Sequence, residues 1–173
     1  VSSLDVHIIV TSSNSWAREE FSGYETFLSP EACSSRYEAF LIDSINARNI
    51  DVFIPTIDSE ILSIANAAPR IGQQTNATLL VGDPIGVEIC DDKLRTCEFL
   101  RENGFAYPRS IAADDPLAIN FVEEIGFPLI AKLRRGQGSR NLHTIENIRE
   151  IERNLGRPDL IFQERIDVVN GEF

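Results

Sequence analysis

The stretch most suggestive of chemistry begins at Lys132, near the end of an apolar run, and continues into Gly136-Gln137-Gly138-Ser139-Arg140. A strand lysine supplies a point charge, and a glycine-rich backbone supplies N–H groups that can surround phosphate oxygens. Together they predict a polyphosphate site. The alternatives are an exposed strand lysine with its stem over apolar surface and an ordinary hairpin turn. The loop lacks the lysine and hydroxyl pair of a Walker A motif and the third glycine of a dinucleotide-binding fingerprint.

A second candidate cation is Lys93, which follows Asp91 and Asp92 at the start of a predicted helix. Acidic residues there are favoured by the helix dipole, so a purely structural role explains them. A cation in the first turn is mildly unfavourable. Lys93 therefore makes sense if it meets a ligand phosphate.

A third candidate group lies near the end of the sequence, at Gln163, Glu164, Ile166 and Glu172. An adenine ring presents an N6–H donor and an N1 acceptor. A strand can answer with a side-chain or backbone carbonyl and with a backbone N–H two residues on, while a carboxylate such as Glu172 can accept from ribose hydroxyls. Whether Gln163 or Glu164 makes the side-chain contact stays open. An edge strand with surface acids is the alternative.

The elements that must position these residues fall into two patterns. In the first part, short apolar strands alternate with amphipathic helices, which predicts a parallel α/β sheet with helices on both faces. We expect strands over 6–10, 51–55 and 77–81, and helices starting at Ser29, from Asp58 to Ala68, from Pro84, and over 92–103.

The pattern changes near Tyr107 and Pro108, where we place a domain boundary between residues 1–107 and 108–173. Beyond it, strands joined by a hairpin and backed by helices predict an α+β domain. The expected elements are a helix over 115–125, strands over 127–134, 142–144 and 160–163, and a helix carrying Ile145, Ile148 and Ile151.

Bulk properties exclude several classes of protein. The 173 residues carry a net charge of −11, which argues against nucleic acid or an anionic membrane as a partner. Three cysteines and two histidines have no zinc-site spacing, so no metal site is predicted. No apolar run approaches the roughly 20 residues that cross a bilayer. We expect a cytoplasmic protein.

Taken in order, these pieces resemble an ATP-grasp protein of the carbamoyl-phosphate-synthase-like, carboxylate–amine ligase type. The motifs that carry the resemblance are the turn over 54–60, Asp92-Lys93, the segments 104–108 and 126–132, the glycine–serine loop, and Gln163 to Ile166 with Gly171-Glu172. The resemblance implies a pre-ATP-grasp domain over 1–107 and the small ATP-grasp lobe over 108–173. It also implies that the family's first strand–helix unit and large C-terminal lobe are missing, so that the chain is truncated at both ends.

The resemblance further implies roles for individual residues. Lys93 and Lys132 would hold ATP phosphates, residues 136–140 would form a mobile phosphate lid, Gln163 or Glu164 with the backbone through Ile166 would bind adenine, and Glu172 would bind ribose. Mg²⁺ would take its ligands from the missing lobe. Two departures from the family pattern are Leu133, where proline is usual, and Asn141, where glycine is common.

The implied activity is an ATP-dependent ligase that activates a small carboxylate as an acyl phosphate for attack by an amine or another nucleophile. No catalytic residue is assigned within this chain, and we expect the chain alone to be inactive. Two alternatives are a non-catalytic nucleotide-sensing or interaction module on the same fold, and a structural domain with a plain hairpin. Assembly as a homo-oligomer is left open.

Overall fold

The computed structural model describes residues 5–136 and 142–166. The chain divides into two compact units, Val1–Pro84 and Ile85–Phe173. This division comes earlier than the expected boundary at 107/108, because the helix preceding that boundary packs against a strand that follows it. The glycine and proline over 104–108 mark the end of that helix, and the naming of the two parts as pre-ATP-grasp domain and small lobe stays a prediction.

The first unit contains two parallel strand pairs and two long helices. Its elements are β1 (Ile9–Ser12), α1 (Ala17–Glu20), β2 (Glu25–Leu28), α2 (Tyr37–Arg48), β3 (Val52–Phe53), α3 (Asp58–Gln74) and β4 (Thr78–Leu79). β1 pairs with β2, and β3 pairs with β4, both in parallel. Helices α2 and α3 bury a core of Tyr37, Leu41, Ile45, Ile64, Ala67 and Ile71.

The second unit is built on one antiparallel sheet. Helix α4 (Pro84–Asp91) starts at the division between the units and is followed by α5 (Lys93–Glu102), β5 (Ser110–Ala112), α6 (Ala118–Ile125), β6 (Leu129–Leu133), β7 (His143–Ile145), α7 (Ile148–Glu152) and β8 (Leu160–Glu164). The strand order is β5-β8-β6-β7. Leu129, Ala131 and Phe162 of the sheet pack with Val122 of α6 and Ile151 of α7 in a core separate from the first.

The predicted α/β class followed by an α+β part is confirmed, with a difference in the first unit. The described parallel strands form two separate pairs instead of one sheet. The first strand lies over 9–12 instead of 6–10, because its hydrogen-bonding partner is β2, a strand that the apolar pattern does not predict. The strand expected over 51–55 is short and poorly buried, with Val52 47% and Ile54 58% exposed.

Four predicted helix boundaries are wrong. The helix expected over 115–125 begins at Ala118, because Asp115 closes the preceding turn by accepting from the N–H groups of Leu117 and Ala118. Ile145, expected in the last helix, lies in β7, where it pairs with Leu129.

The helix expected from Ser29 begins at Tyr37, because two successive turns, closed by Ser34 N to Glu31 O and Tyr37 N to Ser34 O at 2.9 Å each, occupy the intervening residues. The helix expected to end at Ala68 continues through Pro69 to Gln74. Pro69 lacks an N–H for the helix ladder, but burial of Ile71 beyond it favours continuation.

The described residues contain neither a helix that could span a membrane nor a cluster of metal-binding side chains. No helix over 5–136 or 142–166 is long and apolar enough to cross a membrane. No three or more His, Cys, Asp or Glu side chains in that part of the chain form a group that could hold a metal ion.

Candidate functional site

Lys132 lies on the sheet face opposite the core that the sheet forms with α6 and α7. Along β6 and β8, successive side chains alternate between faces, and the pairs Lys132–Ile161 and Ile130–Gln163 share one face. The other face carries Leu129, Ala131 and Phe162 into the core.

The Lys132 side chain is half-buried, and none of the described residues accepts a hydrogen bond from its ammonium group. Burial lowers the pKa of Lys132, and the neighbouring charge of Lys93 lowers it further, while Cys97 acts in the opposite direction. The two predicted phosphate-binding lysines are therefore close enough for one to influence the other.

Lys93 joins the start of α5 to the residues that follow β6. Its ammonium donates to the carbonyl oxygen of Gly136 at 2.8 Å, and its backbone N–H donates to the carbonyl oxygen of Arg134 at 3.0 Å. Gly136 has a φ of +119°, a conformation that favours glycine. The first residue of the predicted phosphate loop is thus held against Lys93.

The buried Asp92 and the half-buried Arg134 form an ion pair beside this junction. Arg134 Nε lies 2.9 and 2.8 Å from the two Asp92 carboxylate oxygens, and Asp92 is only 2% exposed. Asp92 also accepts from the N–H groups of Leu94 and Arg95, which caps α5. Burial acts to raise the pKa of Asp92, but hydrogen bonds from Arg134 and the backbone outweigh it and hold that pKa below its ordinary value.

A row of exposed ion pairs extends this junction at the surface. Arg135 Nη1 lies 3.1 Å from Asp91 Oδ2, and Arg95 Nη1 lies 2.9 Å from Glu88 Oε1. The arginines that follow β6 therefore pair with acids of α4 and the start of α5. The sequence around Arg134 and Arg135 does not reveal these acidic partners, because they lie about 40 residues away along the chain.

A compositional signal at this site was also missed. The sequence has 16 lysine and arginine residues, of which only Lys93 and Lys132 are lysines. Elsewhere, arginine carries the positive charge. Both lysines thus belong to the same candidate site in the second unit, and this could have been read from the sequence alone.

Gln163 and Glu164 point to opposite faces of β8. Gln163 shares the face of Lys132 and is 7% exposed, and its amide nitrogen donates to Ser110 Oγ at 2.7 Å and to Cys97 Sγ at 3.6 Å. Glu164 lines a polar groove of about 410 Å³ on the other side, near the Arg109–Glu124 ion pair at 2.7 Å. The structure therefore places Gln163 and Glu164 on different faces of the sheet, whereas the sequence alone does not choose between them.

Several predicted site residues lie outside the described residues, namely Gln137, Gly138, Ser139, Arg140 and Glu172. Ile166 is described and exposed, two residues beyond the end of β8. The described part of the site thus comprises Lys93, Lys132, Gly136, Gln163 and Ile166, with Glu164 on the opposite face.

No protein-family model matches the chain. The chain is 23% identical over 150 residues to a carbamoyl-phosphate synthase of Methanobrevibacter smithii. The aligned region covers 85% of this chain and 39% of that protein. Its fold is similar to that of N5-carboxyaminoimidazole ribonucleotide synthetase from Thermotoga maritima, with a TM-score of 0.65 and 19% identity over 94% of this chain and 40% of the other. The chain has part of the ATP-grasp fold.

A further structure with the ATP-grasp fold is biotin carboxylase from Campylobacter jejuni, solved as a β,γ-ATP complex. It matches with a TM-score of 0.66 and 16% identity over 92% of this chain and 39% of its own. The chain thus spans about two fifths of the length of these ATP-grasp relatives. The predicted resemblance is confirmed at the level of fold.

Proposed function

We propose that the second unit binds ATP on the sheet face of Lys132, as part of an ATP-dependent ligase that activates a carboxylate. The ATP-grasp fold supports this assignment, as do the similar proteins reported above, which include a synthetase and a synthase. In this proposal Lys93 and Lys132 bind the phosphates, together with the backbone of residues 136–140.

The observation that carries the proposal is a pair of neighbouring lysines in an acidic protein. A half-buried ammonium beside a second cation is unfavourable unless an anion joins them. In the described part of the chain, Arg134 and Arg135 have carboxylate partners, whereas neither lysine has one. A polyphosphate supplies the charge that this pair lacks.

For the base, strand alternation favours Gln163 over Glu164. Gln163 shares a face with Lys132, and Ile166 follows with a backbone N–H suited to an acceptor on the ring. We therefore assign the side-chain contact with adenine to Gln163 and keep Glu172 as the proposed ribose contact.

The proposed reaction has two steps. A carboxylate oxygen of the substrate attacks the γ-phosphorus of ATP, which forms an acyl phosphate and releases ADP. An amine or another nucleophile then attacks the acyl carbon and releases inorganic phosphate. The two lysines would bind phosphate oxygens and offset the negative charge that develops during transfer.

Magnesium normally accompanies ATP in such transfers. The described residues do not fit a magnesium site, because they contain no suitable group of three acidic, His or Cys side chains. The contribution assigned to this chain is therefore nucleotide binding through its own cations and hydrogen-bonding groups.

Calorimetric titration with ATP and magnesium tests the binding step. We expect Lys132→Ala and Lys93→Ala each to weaken ATP binding by tenfold or more, about 1.4 kcal/mol. Arg101→Gln is the matched control, because it removes one positive charge from the exposed end of α5, where the Arg101 side chain forms an ion pair with Glu102 at 3.8 Å. Equal binding by the wild type and both lysine variants would overturn the phosphate assignment.

Turnover tests the ligase part of the proposal separately. Phosphate release from ATP is measured with a panel of small carboxylates, with and without an amine. Release that requires a carboxylate supports the ligase, whereas tight ATP binding without release under any combination favours the non-catalytic nucleotide-sensing module.

A further inference from the structure

A chain of hydrogen bonds lies behind Gln163 in the second unit. Gln163 Nε2 donates to Ser110 Oγ at 2.7 Å, and Ser110 Oγ donates to the carbonyl oxygen of Pro108 at 2.9 Å. Cys97 of α5 lies against the same pair, with its sulfur 3.4 Å from Ser110 Oγ and 3.6 Å from Gln163 Nε2. The buried end of the Gln163 amide is therefore surrounded by named partners.

The chemistry of these groups fixes which way the amide faces. A carbonyl oxygen can only accept, so Pro108 takes the one hydrogen of the Ser110 hydroxyl. The Ser110 oxygen can then only accept from Gln163, which requires the amide NH₂ to face Ser110. The amide oxygen is left on the other side, and no described residue donates to it.

The consequence concerns which ligand atom can meet Gln163. A fixed amide oxygen accepts a hydrogen bond but cannot donate one. It therefore matches the exocyclic amino group of adenine and opposes the carbonyl oxygen that hypoxanthine and guanine carry at the same ring position. A site whose buried polar group is left unpaired rejects such an analogue strongly.

We propose that Ser110 is a positioning residue for base selection, which holds the Gln163 amide so that the site prefers a 6-amino purine to a 6-oxo purine. This inference rests on the proposed function, since it takes Gln163 as the contact with the base. In this proposal Ser110 makes no contact with the nucleotide. Its effect is exerted through the orientation of Gln163.

The test is the ratio of dissociation constants for ITP and ATP, measured by calorimetry on the full chain. The wild type should prefer ATP. Ser110→Ala frees the amide to turn its NH₂ toward the base, and we expect the ratio to fall by about tenfold. Ser110→Thr is the matched control, because it keeps the hydroxyl, and the ratio should stay within about twofold of the wild type.

The same substitution in a Gln163→Glu protein distinguishes an effect of Ser110 on the orientation of residue 163 from an effect on the packing around it. Gln163→Glu presents an acceptor oxygen whichever way it is turned, so the side chain no longer needs Ser110 to orient it. In that background, adding Ser110→Ala should leave the ratio unchanged. A structural role of Ser110 would instead change the binding of both nucleotides equally, in either background.

The outcomes are distinct. An unchanged ratio in Ser110→Ala, with ATP still bound, overturns the role of Ser110 and leaves the proposed function standing. If Ser110→Ala weakens the binding of ATP and ITP equally, the role of Ser110 in base selection is also overturned. No ATP binding by the wild type overturns the proposed function and this inference with it.

Discussion

Tyr37 and Glu60 meet in the core of the first unit. The Tyr37 hydroxyl donates to Glu60 Oε2 at 2.5 Å, while Glu60 Oε1 accepts from the N–H groups of Thr56 at 2.8 Å and Ile57 at 3.3 Å. Glu60 lies in the turn that carries part of the family resemblance. Its carboxylate is used internally, to close the N-terminus of α3 and to bind α2.

We expect Tyr37→Phe to lower the free energy of unfolding by about 2 kcal/mol at neutral pH, as for a hydrogen bond to a charged group. Burial, followed by the hydrogen bond to Glu60, raises the pKa of Tyr37 above its ordinary value. The stability from this proton is present below the unfolded pKa of about 10 and is lost as the pH rises above it.

Urea unfolding of both proteins between pH 7 and 11 checks this expectation. The difference between the wild type and Tyr37→Phe should shrink above about pH 10, since only the wild type loses the tyrosine contribution. A difference that stays constant through pH 11 would contradict the raised pKa.

The reactivity of Lys132 provides a second prediction at the scale of residues. Burial and the charge of Lys93 both lower the pKa of Lys132, so Lys93→Ala should raise it. The pH profile of Lys132 acetylation should then move to higher pH. Mass spectrometry can follow the reaction cleanly, because the sequence contains only two lysines.

Arg101→Gln serves as the control for this experiment, since it removes a charge that is not among those acting on Lys132. A profile that is the same in Lys93→Ala and in the wild type would mean that the two ammonium groups do not interact.

At the scale of elements, Asp92 connects α5 to the end of β6. We expect Asp92→Asn to lower the free energy of unfolding by about 2 kcal/mol, because it leaves Arg134 without its anion but keeps a capping side chain. Asp92→Ala should cost about 1 kcal/mol more, through loss of the cap. Denaturant unfolding measures both.

Asp91→Asn is the matched control for Asp92→Asn, because it breaks the exposed contact with Arg135 and should cost less than about 1 kcal/mol. Since the pKa of Asp92 is lowered, its contribution is present above the unfolded pKa of about 3.9 and is lost as the pH falls through the folded value. Equal effects of the two substitutions at pH 7 would refute the importance of the Asp92–Arg134 ion pair.

Helix boundaries show how far sequence reasoning reaches at this scale. The start of α5 was predictable because Asp92 caps N–H groups two and three residues away. Ser29-Pro30-Glu31 has a similar local signature, yet turns closed by backbone hydrogen bonds occupy that segment. Pro69 gave the opposite error, since a proline predicts the end of a helix and α3 continues through it. The burial of Ile71, which favours continuation, cannot be inferred from the neighbouring residues in sequence.

The candidate site was predictable in its residue types and not in its contacts. Lys93 and Lys132 could be named from their flanking sequence. The hydrogen bond between Lys93 and Gly136, and the choice between Gln163 and Glu164, depend on strand register and on partners distant in sequence. Such tertiary relations leave no local pattern.

At the scale of the whole molecule, each unit has its own core, and the described residues of the candidate site belong to the second. We expect ATP to slow amide hydrogen exchange in β6 and β8, with at least tenfold protection at 100 times the dissociation constant. Exchange in α3 of the first unit should stay unchanged. Mass-spectrometric detection resolves these segments.

The Lys132→Ala variant is the control for ligand-dependent protection, since the same ATP concentration should protect its second unit less. Equal protection of α3 and β6 would show that the first unit also responds to the nucleotide. That result would contradict a site confined to the second unit.

The short strands of the first unit have a consequence for the protein in solution. Val52, Ile54 and Leu80 are 47%, 58% and 52% exposed on or just beyond strands of two residues, and exposed apolar edges favour contact between copies. The net charge of −11 opposes such contact by long-range repulsion. Salt shortens the range of that repulsion to about 3 Å at 1 M and leaves the apolar attraction intact. Colloidal stability should therefore decline as ionic strength rises, so dilute salt is the medium in which copies of this protein stay apart.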